Sequence, residues 1–337
     1  MYKFDDIIGH KNQLEGLKKT IKNHRINHAY LFYGPEGIGK KTIALAFAAA
    51  IFCDHARETG ACGCCHSCRQ IINNNHPDLF QIYPQGASIK IEQIREIKKK
   101  ASYKPYQNKS QIFILEAAET MTMEAANCFL KTLEDPPGQA VFILISTNPD
   151  LLPLTVVSRC QLLSFKELNF EEIVRGLVIL TGISTKEAQL PALMAQGSLG
   201  KALTYITDNA PVKLRDRIIK LSKIINQGLI LELLDEVSFL AENKNSALKT
   251  IEMLLLWYRD LLIWQESSNK DILFNKDRFQ VITDEAGHYT TGFLLKALER
   301  LETAKSNLLF NGNPRLVLDV LLLDLARFRE GSSEHAI

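Results

Sequence analysis

A glycine-rich loop between an apolar strand and an apolar helix constrains the fold of this chain more than any other feature. The run Ala29–Tyr33 predicts a buried strand, and the alanine-rich run Thr42–Phe52 predicts a helix. Between them, residues 34–41 (GPEGIGKK) have the spacing of a phosphate-binding loop. Backbone N–H groups of such a loop surround a phosphate at the helix N-terminus, and Lys40 adds a positive charge. The close approach depends on three glycines, Gly34, Gly37 and Gly39. A strand, this loop and a helix in that order predict an α/β fold with a parallel sheet.

Two side chains that such a loop needs for hydrolysis are missing. The residue after the lysine is normally Ser or Thr, whose hydroxyl binds magnesium, but this chain has Lys41. Thr42 carries a hydroxyl one residue later, where a helix turns it about 100° away. After the apolar strand Ile112–Leu115, Glu116 offers a carboxylate for magnesium, or is an ordinary polar residue at the end of a strand. Ala117 occupies the place of the second carboxylate, which would polarise the attacking water. We therefore expect negligible hydrolysis. Binding of ATP and Mg²⁺ stays open, against an inherited loop that no longer binds nucleotide.

The alternation of strands and helices ends near residue 165. Val141–Ser146 is the last strongly apolar strand, and residues 166–210 show the pattern of three short helices. From residue 211 to residue 337 the chain shows long helices with apolar stripes, typical of a helical bundle. A length of 337 residues is ample for two or three domains. The sequence therefore predicts an α/β domain at 1–165, a helical lid at 166–210 and a helical collar at 211–337.

Four of the seven cysteines have the spacing of ligands for one metal ion. Cys62, Cys65 and Cys68 form a C-x2-C-x2-C run, and Cys53 ends the helix before it. Four thiolates complete a closed structural zinc site, so we predict a zinc module at 53–68. The alternative is a set of unrelated free thiols. Cys64 is left out of the predicted set, and His66 is a weaker competitor as a ligand.

The charge of the chain excludes a general attraction to nucleic acids or membranes. The formal net charge is only +2, so any such attraction must be local. Residues 90–109 are basic, and a solvated helix face explains them as well as contact with a DNA backbone does. No signal peptide and no apolar stretch long enough to span a bilayer are evident. We therefore expect a cytoplasmic protein with reduced thiols and no membrane partner.

One arginine follows the last predicted strand and a loop. In Ser158-Arg159-Cys160 it has the placement of an arginine that serves a nucleotide held by a neighbouring subunit. The alternative is a structural salt bridge to Glu134 or Asp135.

Together these segments resemble the bacterial clamp-loader family of AAA+ proteins, and within it the delta prime group of DNA polymerase III subunits. The resemblance covers nearly the whole chain. It rests on Phe4–His10, the cysteine module after the loop helix, Leu130–Pro137, Ser158–Cys160 and Asn313–Leu316.

The resemblance implies a RecA-like AAA+ sheet with a zinc-binding insertion, a helical lid and a C-terminal collar that carries oligomerisation. It implies a role in loading the sliding clamp onto primed DNA, with gamma/tau and delta subunits as partners. The chain would then be a subunit of a DNA-directed DNA polymerase holoenzyme. Delta prime subunits have a degenerate nucleotide site, which fits Lys41, Ala117 and Gly200. Gly200 stands where motor subunits carry a phosphate-sensing arginine. Arg159 would be an arginine finger acting on a neighbouring subunit.

Two other functions remain as alternatives. One is an ATP-hydrolysing gamma/tau-type motor subunit of the same loader. The other is a zinc-dependent protein that binds nucleic acid.

Overall fold

The chain forms two compact units. A computed structural model describes residues 2–56, 60–107, 110–207, 210–310 and 312–333. One unit is Met1–Thr204 and the other is Tyr205–Ile337. The three-domain division at residues 165 and 210 stays a prediction.

A five-stranded parallel sheet is the centre of the first unit. Its strands are β1 (Ala29–Tyr33), β2 (Leu79–Ile82), β3 (Gln111–Leu115), β4 (Ala140–Ser146) and β5 (Gln161–Ser164). They lie side by side in the order β2-β3-β4-β1-β5, and every neighbouring pair is parallel. In the centre, Leu144 of β4 is paired with Leu31 of β1 and with Leu115 of β3. The predicted α/β class with a parallel sheet is confirmed, and so are the three strongly apolar strands.

Helices cover both faces of this sheet. The helices before residue 165 are α1 (Lys11–Lys22), α2 (Lys40–Phe52), α3 (His66–Ile72), α4 (Ile91–Ala101), α5 (Met123–Glu134) and α6 (Leu154–Val157). Successive strand residues point to opposite faces, so Phe32 packs with α1, α2 and α3, whereas Leu31 packs with α4, α5 and α6. Nearly every side chain of α2 is buried, which explains why its sequence is apolar all round.

Three short helices follow the sheet in the first unit. They are α7 (Phe170–Thr181), α8 (Thr185–Met194) and α9 (Leu199–Thr207), the last of which runs past the end of the unit. Asn169 and Ser184 cap the first two helices, and each cap is reciprocated by a glutamate three residues later. The predicted change to helix after residue 165 is confirmed, and no strand follows β5 in the described residues.

The second unit is a helical bundle. Its helices are α10 (Ala210–Gln227), α11 (Ile230–Leu240), α12 (Lys244–Ser267), α13 (Phe279–Ala286), α14 (Thr291–Leu309) and α15 (Pro314–Ser333). The long helices α12 and α14 pack along each other, and Trp257 is buried between the helices. Its indole N–H donates to the buried carboxylate of Glu285, which also accepts from the Ser222 hydroxyl, at 3.1 and 2.9 Å. None of the described helices is long and apolar enough to pass through a bilayer.

Candidate functional site

A cleft of about 730 Å³ opens at the carboxyl ends of the strands in the first unit. The glycine-rich loop and the first turn of α2 form one wall, and residues that follow β2, β3 and β4 form another. The three helices α7, α8 and α9, referred to below as the lid, contribute Leu199, Gly200 and Leu203. This edge is where parallel α/β sheets bind ligands, so the cleft is the candidate nucleotide site.

The loop has the backbone conformation that its glycines permit. Gly34, Gly37 and Gly39 all have positive φ angles, of 142°, 74° and 100°. The ammonium of Lys40 is buried and donates to the carbonyl oxygens of Gly34 and Pro35, the second at 2.6 Å. Burial lowers the pKa of Lys40, against the opposing effect of the carboxylates of Glu119 and Glu36. The loop is therefore built as a phosphate cradle, with its lysine held inside it.

Lys41 and Glu116 form an ion pair at the position of the magnesium ligands. The Lys41 Nζ lies 2.8 Å from Glu116 Oε1 and 3.1 Å from the hydroxyl oxygen of Tyr83. Burial lowers the pKa of Lys41, but the interactions of its ammonium with the accepting oxygens of Glu116 and Tyr83 outweigh this effect, so the pKa is raised overall. Lys41 is therefore a cation at neutral pH.

The side chains of this cleft lack the usual hydroxyl ligand of magnesium and pair one of its carboxylates with a lysine, although the second carboxylate, Glu119, keeps a buried Oε2 without a hydrogen-bond partner. Magnesium prefers near-octahedral oxygen ligands, including one or two carboxylates. Residue 41 offers a cation instead of a hydroxyl, and Glu116 is neutralised by that cation. The other carboxylate oxygen of Glu119 accepts from the N–H and the hydroxyl of Thr147, at 3.0 and 2.7 Å. Thr42 lines the cleft and is exposed there, one residue beyond the position that the motif requires.

Two of these residues were not recognised from the sequence. Tyr83 comes directly after β2, which was not predicted, and Thr147 comes directly after β4. A search for polar side chains at the ends of all parallel strands would have found both.

The lid touches the loop directly. The N–H of Gly200 donates to the carbonyl oxygen of Gly37 at 2.7 Å. A Cβ on Gly37 would collide with the Ser198 hydroxyl, and a Cβ on Gly200 would lie 3.0 Å from the Gly37 carbonyl oxygen. Glycine at both positions therefore permits this close approach, and Gly200 provides no positive charge for a phosphate.

Four cysteine sulfurs meet at one point between α2 and α3. The Sγ atoms of Cys53, Cys62, Cys65 and Cys68 all lie within 4.8 Å of one another. The Cys62–Cys68 and Cys53–Cys65 distances are both 4.0 Å. Tetrahedral coordination with metal–sulfur bonds of about 2.3 Å places the sulfurs roughly 3.8 Å apart, so the cluster fits a metal ion. Residues 57–59 of the predicted module lie outside the described residues.

The surroundings of the sulfurs differ, and this affects their charge. Backbone N–H groups of Cys64 and Cys65 donate to Cys62 Sγ and lower the pKa of Cys62 to about 5. Burial raises the pKa of Cys53 and of Cys68. One sulfur is therefore a thiolate at neutral pH, and a bound cation would be needed to hold the buried ones in that form. Cys64 is exposed and lies outside the cluster.

Arg159 lies between α6 and the edge strand β5. Its Nη2 is 2.5 Å from Glu134 Oε1, and its Nη1 donates to the Thr155 carbonyl oxygen at 2.9 Å. The side chain is 34% exposed. This ion pair matches the structural alternative for Arg159, and the arginine does not line its own chain's cleft as far as the described residues show.

The basic stretch is mostly a solvated helix face. Ile94 and Ile97 of α4 are buried, whereas Lys98 and Lys99 on the same helix are exposed. Lys100 pairs with Glu96 at 2.8 Å, and Lys109 lies outside the described residues.

Comparison with known proteins places the chain in a family. The family described as "DNA polymerase III, delta subunit" matches residues 9–169, and the one described as "DNA polymerase III, delta subunit, C terminal" matches residues 214–327. The delta prime subunit of Bacillus subtilis DNA polymerase III is 32% identical over 92% of this chain and 94% of its own length. The tau subunit of the same organism is 25% identical over 96% of this chain.

The tau relatives are longer than this chain. It spans 62% of the Bacillus subtilis tau subunit and 33% of the Escherichia coli tau subunit, which is 32% identical over 61% of this chain. A gamma subunit-related protein of Thermotoga maritima has a similar structure, with a TM-score of 0.52 and 20% identity over 94% of this chain and 99% of that one. That likeness concerns the fold, and the predicted AAA+ architecture is confirmed. The chain belongs to the family of bacterial DNA polymerase III clamp-loader subunits that includes the delta prime and gamma/tau subunits.

Proposed function

We propose that this chain is a delta prime-type subunit of a clamp loader, which helps to place the sliding clamp on primed DNA without hydrolysing ATP itself. The Lys41–Glu116 ion pair carries the proposal. A hydrolysing subunit needs a hydroxyl and a carboxylate free to hold magnesium, and a second group to orient the attacking water. Here the first two positions neutralise each other, and Ala117 occupies the third.

The extent of the similarity supports the same assignment. The chain spans 94% of a delta prime subunit but only 62% of a tau subunit of the same organism. The alternative is an ATP-hydrolysing gamma/tau-type motor. The three loop glycines, the buried Lys40 and the open cleft favour that alternative.

Within the assembled loader, we propose that Arg159 acts on ATP bound by an adjacent gamma/tau subunit. Its position beside an edge strand, outside its own cleft, supports this role. A planar guanidinium suits the charge that spreads over a transferring phosphoryl group. Glu134 would hold the arginine in place until the neighbouring nucleotide competes for it.

The remaining assignments belong to the same proposal. The metal at the four cysteines is zinc, because a closed set of four thiolates is typical of structural zinc sites. The domains are 1–165, 166–210 and 211–337, and the last carries oligomerisation. Large exposed apolar side chains, among them Leu231 on α11 and Phe310 directly after α14, support that role. The partners are the gamma/tau and delta subunits in the cytoplasm, with the clamp and primed DNA reached through the complex.

Reconstitution tests the proposal. The purified chain is mixed with gamma/tau and delta subunits of the same bacterium, and size-exclusion chromatography with light scattering measures the product. We expect one stable complex that contains this chain. The isolated chain should hydrolyse ATP more than about 100-fold more slowly than a gamma/tau subunit, because the groups that position metal and water are missing.

Two results would decide for the alternatives. Turnover equal to that of a motor subunit, abolished by Lys40→Ala, would establish the motor role. Failure to assemble, together with a chelator-sensitive gel shift of primed DNA by the chain alone, would establish a zinc-dependent nucleic-acid-binding protein.

A further inference from the structure

The Lys41 ammonium is held in place from three elements of the first unit. It lies on the first turn of α2, and its ion-pair partner Glu116 directly follows β3. Tyr83 directly follows β2, the strand next to β3, and its ring lies under the ammonium with 4.8 Å from Nζ to the ring centroid. The Tyr83 hydroxyl donates to Gln81 at 2.7 Å, which leaves its lone pairs free to accept from Lys41. Three elements therefore position the ammonium, although the Lys41 side chain is still 43% exposed.

The ion pair joins the two residue positions that hold a divalent cation in an intact phosphate-binding loop. There, the residue at position 41 and the carboxylate at position 116 would both hold the metal. Here the ammonium nitrogen lies 2.8 Å from that carboxylate, which is the distance of a close ion pair. A divalent cation beside it would be repelled, and the hydroxyl that should hold it is absent.

The phosphate cradle itself is retained. Gly34, Gly37 and Gly39 keep positive φ angles, and Lys40 is seated in the loop. The cleft of about 730 Å³ is of the size that holds a ligand as large as a nucleotide. This cleft therefore differs from an intact nucleotide site in its metal ligands and not in its phosphate cradle.

We propose that Lys41 takes the place of the divalent cation, so that the cleft binds the phosphates of a nucleoside triphosphate as a metal-free anion. This rests on the proposed function only for the identity of the cleft. Lys41 remains paired with Glu116 through one N–H and turns another toward the phosphate oxygens, since an ammonium has three donors. Magnesium competes with the protein for the same phosphate oxygens and therefore does not help binding.

Titration of the whole chain with a fluorescent ATP analogue tests this inference. Fluorescence anisotropy gives the Kd in EDTA and in excess MgCl₂. We expect the wild-type chain to bind as tightly in EDTA as in MgCl₂, or more tightly. Lys40→Ala should abolish binding in both buffers, which places the probe in the cleft.

Lys41→Thr is the decisive variant. It removes the internal cation, restores the hydroxyl and frees Glu116. Binding in EDTA should weaken roughly tenfold or more, as expected for the loss of a charge-assisted hydrogen bond. Binding should now improve when MgCl₂ is added. Lys98→Thr on the exposed face of α4 is the matched control, since it makes the same change of charge outside the cleft, and it should bind like wild type.

Three outcomes would overturn the inference. They are wild-type binding that requires magnesium, no binding in either buffer, and a Lys41→Thr variant that cannot be told apart from Lys98→Thr. Assembly with gamma/tau and delta subunits is measured on the same preparations. A chain that assembles but needs magnesium defeats this inference alone. A chain that binds metal-free ATP but does not assemble defeats the proposed function alone.

Discussion

At the scale of single residues, neighbouring side chains in this protein have very different surroundings. Cys64 and Cys65 are adjacent in the sequence, but Cys64 is exposed and outside the cluster, whereas Cys65 belongs to it. Lys40 and Lys41 are also adjacent, and only the first is tied to the loop carbonyls. Such pairs supply matched controls, because one member can be changed while the other keeps its role.

The metal site should depend on Cys68 and not on Cys64. Wild-type protein purified without chelators should contain about one zinc per chain, as a closed four-thiolate site requires. Cys68→Ser removes a buried ligand and should leave almost no zinc, whereas Cys64→Ser should keep it. Elemental analysis by mass spectrometry measures the metal, and circular dichroism checks that the sheet remains folded. Metal-free wild-type protein with four freely reactive cluster thiols would contradict the site.

Arg159 should matter in the complex and not for folding. Arg159→Ala should still join the loader, but slow its ATP hydrolysis by roughly tenfold to a thousandfold at the affected site. Arg159→Lys should rescue little, since an ammonium cannot copy the guanidinium fork.

Glu134→Gln is the control for the Arg159 variants. It breaks the ion pair and keeps the arginine, so the loader should retain most of its activity. A misfolded Arg159→Ala chain, or an unchanged loader ATPase, would instead assign the arginine to structure alone.

At the scale of elements, the sequence was most informative where burial is greatest. β1, β3 and β4 lie inside the sheet, and their unbroken apolar runs were recognised. The edge strands β2 and β5 were not, because their residues are only partly buried or are exposed, so no strong pattern marks them. Missing β2 also meant missing Tyr83, and with it the aromatic side of the Lys41 arrangement.

The contact between lid and loop should be sensitive to a single methyl group. Gly37→Ala should lower the free energy of unfolding of the first unit by about 1–3 kcal/mol, because φ is +74° and the new Cβ meets the Ser198 hydroxyl. Gly16→Ala on α1 is the control, since a Cβ there meets nothing within 4 Å. It should stabilise the helix by about 0.5–1 kcal/mol. Thermal unfolding in a calorimeter measures the stability of both variants. Equal effects of the two substitutions would show that the lid moves aside for the new methyl group at no cost.

At the scale of the whole molecule, local patterns predicted the fold class and the cysteine cluster. The spacing of Cys62, Cys65 and Cys68 is confined to one short segment, so the chain itself brings the sulfurs together. The motif indicates only that position 41 and Glu116 both adjoin the metal. That they form an ion pair with each other depends on the order of the strands, which places the distant Glu116 beside α2. Such contacts between residues distant in the sequence decide whether a substituted motif residue has simply lost its role or has gained a new partner.

The hydrogen bond from the Gly200 N–H to the Gly37 carbonyl oxygen also has a consequence for how motion in the first unit can be followed. This amide exchanges its hydrogen with solvent only when the lid leaves the loop. The exchange rate of this amide therefore reports the free energy of that opening, without any attached label. A ligand that separates the lid from the loop would speed the exchange of this amide, and a ligand that binds beneath the lid would slow it. A single backbone proton therefore distinguishes a lid that opens from one that stays closed.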